Sequence, residues 1–147
     1  MKADREFVAR LKSFPLFSLC SNDELSQVAA AATTISFPAG TVLAREGEVG
    51  REFMVIVEGT AEVVVNGASV DQLGPNDFFG EVALLDGGLR TATVTATTDV
   101  VAHVIEQREF SVLLFDSPSL ARKLLVGVAK RLRSAQVPLG GIDHDAR

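Results

Sequence analysis

Phe79-Gly80-Glu81-Val82-Ala83-Leu84-Leu85 runs through Asp86-Gly87-Gly88-Leu89 into Arg90-Thr91-Ala92-Thr93-Val94, and the reading of the whole chain turns on this stretch. It sets a glycine, a carboxylate and free backbone N–H groups at the start of a short helical turn, with an arginine a few residues on at the head of an apolar strand. Gly80 lets the backbone come close to a ligand. The first N–H groups of a helical turn lack internal partners and suit an anion. Glu81 accepts from hydroxyls, and Arg90 pairs with a phosphate in fork geometry. If residues 89–96 form a strand, its side chains alternate between faces. Leu89, Thr91, Thr93 and Thr95 then share one face, and Arg90, Ala92, Val94 and Ala96 the other. The second set is smaller and more apolar and is expected to point inward. An inward arginine is costly unless an anion meets it. The strand pattern leaves two readings open, an arginine met by an anion inside and an arginine near a strand end that escapes to solvent.

Working outward, residues 33–106 read as all β. Short apolar runs are punctuated at Phe37-Pro38-Ala39-Gly40, Gly47, Gly50, Gly59, Gly74-Pro75-Asn76-Asp77 and Asp86-Gly87-Gly88, the pattern of a sandwich or barrel. Asn66-Gly67, between Val63-Val64-Val65 and Ala68-Ser69-Val70, is the clearest hairpin turn. Glu81 to Leu85 interrupts the strands as a helical turn. Before the strands, residues 4–13 read as a helix with Phe7, Val8 and Leu11 on one face, and Leu16 and Phe17 are expected in the core. Ser21-Asn22-Asp23-Glu24 is a capping box opening a helix to about Ala31. After the strands, residues 107–115 read as a helix carrying Phe110, Leu113 and Leu114. Ser117-Pro118 restarts a helix to about Gln136, with Ser117 as N-cap. Its apolar stripe is read as Leu120, Leu124, Leu125, Val128 and Leu132, and its charges are all basic. Pro138 ends it, and residues 138–147 read as a flexible tail or linker stub.

The chain has 147 residues and a formal charge of −5. That length suits one domain with a single core. The mild acidity argues against nucleic-acid contact by this segment. One cysteine, Cys20, allows no internal disulfide and fits a reducing cytoplasm. No run of about 18 apolar residues is present to span a membrane, and the charged N-terminus shows no signal peptide. Two histidines, His103 and His144, are too few for a cupin-like metal enzyme, which needs about three clustered with a carboxylate. His103 is expected at an edge or facing outward. No nucleophile–base pair is evident, so no enzymatic activity is expected.

The segment Phe79–Val94 resembles the phosphate-binding cassette of cyclic nucleotide-binding domains, the superfamily of cAMP-receptor regulators, kinase regulatory subunits and cyclic nucleotide-gated channels. The resemblance continues through Glu46-Gly47-Glu48-Val49-Gly50-Arg51-Glu52-Phe53-Met54-Val55-Ile56-Val57-Glu58-Gly59, similar to the family's glycine-punctuated strand pair, and spans about Phe14 to Leu132. It implies a mainly β fold, an antiparallel β-roll of the jelly-roll or double-stranded β-helix kind with N-terminal helices and two C-terminal helices. On that plan residues 1–137 are the binding domain: helices over 4–32, the roll over 33–106 with the cassette at 79–94, and helices over 107–136.

The resemblance also implies the site. Arg90 becomes the partner of a cyclic phosphate and Glu81 the acceptor for a ribose 2′-hydroxyl. Gly80, Val82 and Ala83 belong to the turn around phosphate and ribose, with Gly80 and Ala83 as backbone donors, and Ala92 follows the arginine on the same face. Thr91 lies beside phosphate and base. In eukaryotic relatives a threonine there favours cGMP, whereas many cAMP-responsive bacterial relatives share Arg-Thr-Ala, so Thr91 leaves the base open. Val63 lines the base pocket, and Arg131, with Leu132 and Ala135, is the candidate lid. Two departures stand out. Leu89 replaces a frequent proline after Gly87-Gly88, which loosens the cassette loop. Arg51 stands where several relatives have an acid that orients the cassette arginine, so the partner of Arg90 is left open. The implied function is a sensor of cAMP, or alternatively cGMP, that needs no cofactor and shifts its C-terminal helices toward an effector outside this segment. An interaction module with the same fold and no ligand is the alternative. Without a helix-turn-helix after Arg147 or a channel segment before Met1, the expectation is a free-standing module or the sensor part of a longer protein.

Overall fold

The computed structural model describes residues 2–135, and the side chains of all of these except 2–4, 82, 83, 131, 134 and 135. The expected tail at 138–147 lies outside the described residues. The chain packs as two bodies. Among the described residues, one holds residues 32–109, and the other joins residues 2–31 with residues 110–135.

The first body is a roll of eight antiparallel strands: β1 (Thr33–Phe37), β2 (Val42–Ala44), β3 (Glu52–Glu58), β4 (Ala61–Val65), β5 (Ala68–Leu73), β6 (Phe78–Phe79), β7 (Thr93–Ala96) and β8 (Val100–Glu106). They form two four-stranded sheets, in the orders β1-β8-β3-β6 and β2-β7-β4-β5. This is the double-sheet roll expected of the sequence. The period-2 alternation explains the sheets. Ala61 and Val63 on β4, Val94 and Ala96 on β7, and Val100, Ala102 and Val104 on β8 all turn into one core with Leu43, Met54, Ile56 and Phe79. Asn66 and Gly67 adopt φ of 51° and 80°, the left-handed pair a type I′ hairpin needs, and Val65 pairs with Ala68 across it. His103 lies on the half-exposed face of β8, its Nδ1 3.0 Å from Thr34 Oγ1. It faces outward, but on a strand flanked by β1 and β3 rather than at an edge.

The strand expected over 89–96 is shorter. Regular pairing holds only over Thr93–Ala96, with one isolated bridge from Leu89 to Val49. The reason is a change of partner. Arg90 exchanges backbone bonds with the loop after β2, its N–H donating to Glu48 O at 2.7 Å and its carbonyl accepting from Gly47 N–H at 2.9 Å. The chain bends at Thr91 and Ala92 before joining β4 and β2. Alternation survives the bend: Ala92, Val94 and Ala96 are buried while Leu89 and Thr91 are exposed.

The second body consists of α1 (Lys2–Ser13), a 3-10 turn (Pro15–Phe17), α2 (Asn22–Ala30) and the C-terminal helices α4 (Gln107–Asp116, from Phe110 on) and α5 (Pro118–Ala135); the cassette helix α3 (Glu81–Asp86) belongs to the roll. Phe7, Leu11, Leu16 and Phe17 are buried as expected, Leu25 and Val28 of α2 are buried too, and Phe17 stands edge-on to Phe110 at 6.3 Å. On α5 the expected single stripe divides. Leu120 and Leu124 are buried, but Leu125 and Leu132 are 71 % and 61 % exposed. At about 100° per residue these two leucines lie roughly a quarter turn from the Leu120–Leu124 line, on a separate face. Gly127 sits on the buried line. A methyl group there would lie 3.1 Å from the Leu16 carbonyl oxygen, so glycine lets α5 approach the 3-10 turn backbone.

Glu24 ties this body together. The capping box forms: Glu24 N–H donates to Ser21 Oγ at 3.2 Å, and Ser21 N–H donates to Glu24 Oε1 at 2.8 Å. The same carboxylate accepts from Lys123 Nζ at 2.8 Å and from Ser119 Oγ at 2.6 Å, both on α5. The bonds from Lys123, Ser119 and Ser21 hold its pKa down from 4.5 to about 2, against the opposing cost of burial. A lowered carboxylate pKa stabilises the fold above the unfolded value and stops doing so as pH falls through the folded one. Glu24→Gln is therefore expected to cost about 1.5–3 kcal/mol at pH 7, the range for hydrogen bonds to a charged group. The gap between wild type and variant should narrow progressively below pH 4.5. Urea denaturation at pH 7, 4 and 3 measures this, and a gap constant across that range would show that the carboxylate charge is not what Glu24 contributes.

Candidate functional site: the arginine cradle of the cassette

Arg90 decides the site. Its side chain is only 8 % exposed, so of the two readings open in the sequence the inward one holds. Its Nη2 donates to the backbone carbonyl of Glu52 at 2.8 Å and lies 3.5 Å from the Glu52 carboxylate. The guanidinium carbon stands 5.8 Å from the Phe79 ring centre, within cation–π range. Burial pulls the arginine pKa below its ordinary value, and the charges of Glu52 and Glu81 oppose that pull. The group remains a cation, because guanidinium does not deprotonate in proteins.

Two glycines make room for it. Gly80 has φ of +87°, and a Cβ there would collide with Arg90 Nη1 and with the Glu52 carbonyl oxygen. Glycine is required at that position by both backbone angle and space. Gly50 needs no unusual φ, yet a Cβ there would lie 2.7 Å from Arg90 Nε and 2.8 Å from its Cδ. The glycines upstream and inside the cassette thus form two walls of one slot. Gly50 N–H also donates to Gly88 O at 2.9 Å, fastening the cassette loop to the segment that carries Glu52.

The partner of Arg90 left open by the sequence is Glu52. Arg51 is exposed and uses its carbonyl to accept from Gln107 N–H at 2.8 Å. The acid stands one position later, and its stronger contact is a main-chain carbonyl, which no side-chain pattern reveals. Glu81 opens α3 and is only 6 % exposed, a buried carboxylate whose charge acts on Arg90. Ala92 is buried beside the arginine's face, and Thr91 is exposed next to it. Val63 is 1 % exposed in the roll core, paired in register with Val94. Gly80, Glu81, Arg90, Thr91 and Ala92 are thus gathered on one short segment. Val82 and Ala83 lie in α3, and Arg131 and Ala135 in α5, but the side chains of these four lie outside the described ones. Leu132 is exposed on α5. Among the described residues no group of three His, Cys, Asp or Glu is placed to hold a metal, and no helix is long and apolar enough to cross a membrane.

A buried cation walled by glycines, with a second carboxylate at the head of a helical turn, is the geometry of a cyclic nucleotide-binding domain. The chain belongs to that family, whose profile matches residues 34–117. It is 37 % identical over 110 residues to a cyclic nucleotide-gated potassium channel of Rhizobium etli, covering 75 % of this chain and 31 % of the channel. It is 34 % identical over 113 residues to the cAMP-dependent protein kinase regulatory subunit of Schizosaccharomyces pombe, covering 76 % of this chain and 27 % of that subunit. The chain therefore spans less than a third of the length of these relatives. Among solved structures, the N-terminal domain of a transcriptional regulator from Streptomyces coelicolor A3(2) superposes with a TM-score of 0.76 at 30 % identity, over 85 % of this chain and 93 % of that one.

The slot makes a steric prediction. Gly50→Ala adds a methyl group against Arg90 without any backbone strain and is expected to cost about 1–3 kcal/mol, the range for overpacking. Gly74→Ala is the control, since a methyl group there meets nothing within 4 Å, and its effect should stay within about 0.5 kcal/mol. Chemical denaturation, with the Arg90 Nε–H resonance as a local probe, measures both. Equal small effects and an unmoved Arg90 signal would show that the slot yields freely.

Proposed function

We propose that this protein is a non-catalytic sensor of cyclic nucleotides, preferring cAMP to cGMP, working in the cytoplasm. The single observation that carries the reading is the buried Arg90, held in a two-glycine slot beside the buried Glu81. A structural arginine could be satisfied anywhere along a strand end. This one is kept in a preorganised, partly desolvated position where an anion gains most from it. Family membership and the relatives named for cAMP and for cyclic nucleotides support the same reading.

In this proposal Arg90 pairs with the cyclic phosphate, and the turn at Gly80, Val82 and Ala83 brings backbone donors to phosphate and ribose. Glu81 accepts from the 2′-hydroxyl, Thr91 adds a hydroxyl near phosphate and base, and Val63 stands behind the base. Arg131, Leu132 and Ala135 close over the ligand as a lid when the C-terminal helices shift. Because Glu24 joins α2 to α5, a shift of α5 takes the N-terminal helices with it. Only a ligand that contacts the two arrangements differently can move that equilibrium. The effector that reads the shift is a separate domain or protein.

Three measurements test this. Saturating cAMP, at about 100 times its dissociation constant, should stabilise the protein by roughly 2.7 kcal/mol, and Arg90→Ala should remove most of that gain. No change in melting temperature with cAMP or cGMP would overturn the proposal. Glu81→Ala should weaken cAMP more than 2′-deoxy-cAMP, by the roughly 1.5–3 kcal/mol of a charge-assisted hydrogen bond; equal losses would assign Glu81 to the helix end alone. Amide hydrogen exchange should show cAMP-dependent protection across residues 120–135 as well as 80–91. Protection confined to the cassette would remove the lid from the mechanism.

A further inference from the structure

The exposed face of α5 is built as a seam. Ala121, Leu125, Val128 and Leu132 recur at intervals of four, three and four residues, the spacing that presents one line of a helix to a partner helix. Leu125 and Leu132 are its exposed leucines, and Ala121 and Val128 are half-buried between them and the packed Leu120–Leu124 line. Apolar seams of this regularity mark interaction sites rather than scattered surface leucines.

The charge around the seam selects what can cover it. Helix Pro118–Ala135 carries five basic residues, Arg122, Lys123, Lys130, Arg131 and Arg133, and no acidic one. The whole chain has a net charge of −5, so this helix carries +5 and the remainder −10. Lys123 is committed to Glu24. Arg122 is exposed directly beside the seam, one turn before Leu125; Arg133 is exposed in line with it three turns on, and Lys130 is exposed further round the helix. A second copy laid on the seam would set Arg122 against another uniformly basic helix, and like charges flanking a seam select against pairing.

We infer that the Ala121–Leu125–Val128–Leu132 face of α5 is a docking site for an acidic amphipathic helix, with apolar residues filling the seam and carboxylates facing Arg122 and Arg133. This helix-in-groove mode takes its affinity from the leucines and its choice of partner from the charges. The inference concerns the ligand-free arrangement, since the proposed lid would draw Leu132 over a bound ligand, and the measurements are made without nucleotide.

The probe is a synthetic peptide of three heptads with leucine at the two seam positions and glutamate at the flanking ones, alongside a twin with lysine at those flanks. Fluorescence anisotropy should show the glutamate peptide binding the full chain, with amide shifts concentrated in residues 121–133, and the lysine peptide not binding. Leu125→Ser and Arg122→Glu should each weaken the glutamate peptide at least about tenfold. Both residues are exposed, so thermal melting should stay unchanged. Arg122→Glu should also improve binding of the lysine peptide. The inference fails if both peptides bind alike, if neither binds, or if Leu125→Ser has no effect. It fails equally if the protein instead binds vesicles of phosphatidylserine and phosphatidylcholine through this face. A dimer in analytical ultracentrifugation that Leu125→Ser dissolves would assign the face to a second copy and overturn it as well.

Discussion

The burial of one guanidinium group organises the roll. A cation removed from water costs several kcal/mol unless its surroundings answer it, and the segments around Arg90 answer it in concert. The start of β3 supplies a carbonyl and a carboxylate from Glu52, β6 supplies the ring of Phe79, and the loops supply two positions without side chains. The short β7, the bend at Thr91–Ala92 and the bonds from Arg90 to Gly47 and Glu48 follow from bringing that side chain inward. A regular strand through residue 89 would have kept the ladder and lost the bend that sets the cassette against the roll.

Much of this was legible in the sequence, because local rules and tertiary demands agree over most of the chain. The glycine, proline and asparagine punctuation delimits the strands, since left-handed backbone and missing N–H groups are tolerated at few places. The Ser21–Glu24 capping box is visible because its two bonds are local in sequence. Alternation and the small size of Ala92 and Ala96 put Arg90 on the inward-facing set but left its escape to solvent open, and only the packed structure decides for burial. What alternation cannot carry is the identity of a main-chain partner. Position 51, where several relatives have an acid, holds an exposed arginine, while Glu52, whose carbonyl makes the closest bond, looks like an ordinary strand residue. The α5 stripe failed for a different reason. Periodicity pools every apolar residue within a wide arc, and only packing shows that Leu120 and Leu124 are buried while Leu125 and Leu132 are exposed.

Glu24 shows how one side chain can serve two levels of structure. As a capping residue it satisfies backbone donors at the start of α2, a role worth about 1 kcal/mol in most helices. With Lys123 and Ser119 bonded to the same carboxylate, it also fixes which surface of α5 meets the N-terminal helices. Gly127 acts in the same contact by subtraction, because the helix can lie on the Leu16 carbonyl only where no methyl group intervenes. The polar clamp and the close approach lie one turn apart on α5, so seating one favours the other.

That clamp also sets an order of events during synthesis. Glu24 and Lys123 are separated by 99 positions. At about 5–20 residues per second, α2 leaves the ribosome roughly 5–20 s before its partner on α5 exists. The roll can close only late in that interval, since β1 and β3 both wait for β8, which ends at Glu106. Phe17 meanwhile lacks Phe110, and the Glu24 carboxylate lacks both its ammonium and its serine. The N-terminal helices therefore begin life as an unfinished surface, completed only when α5 arrives.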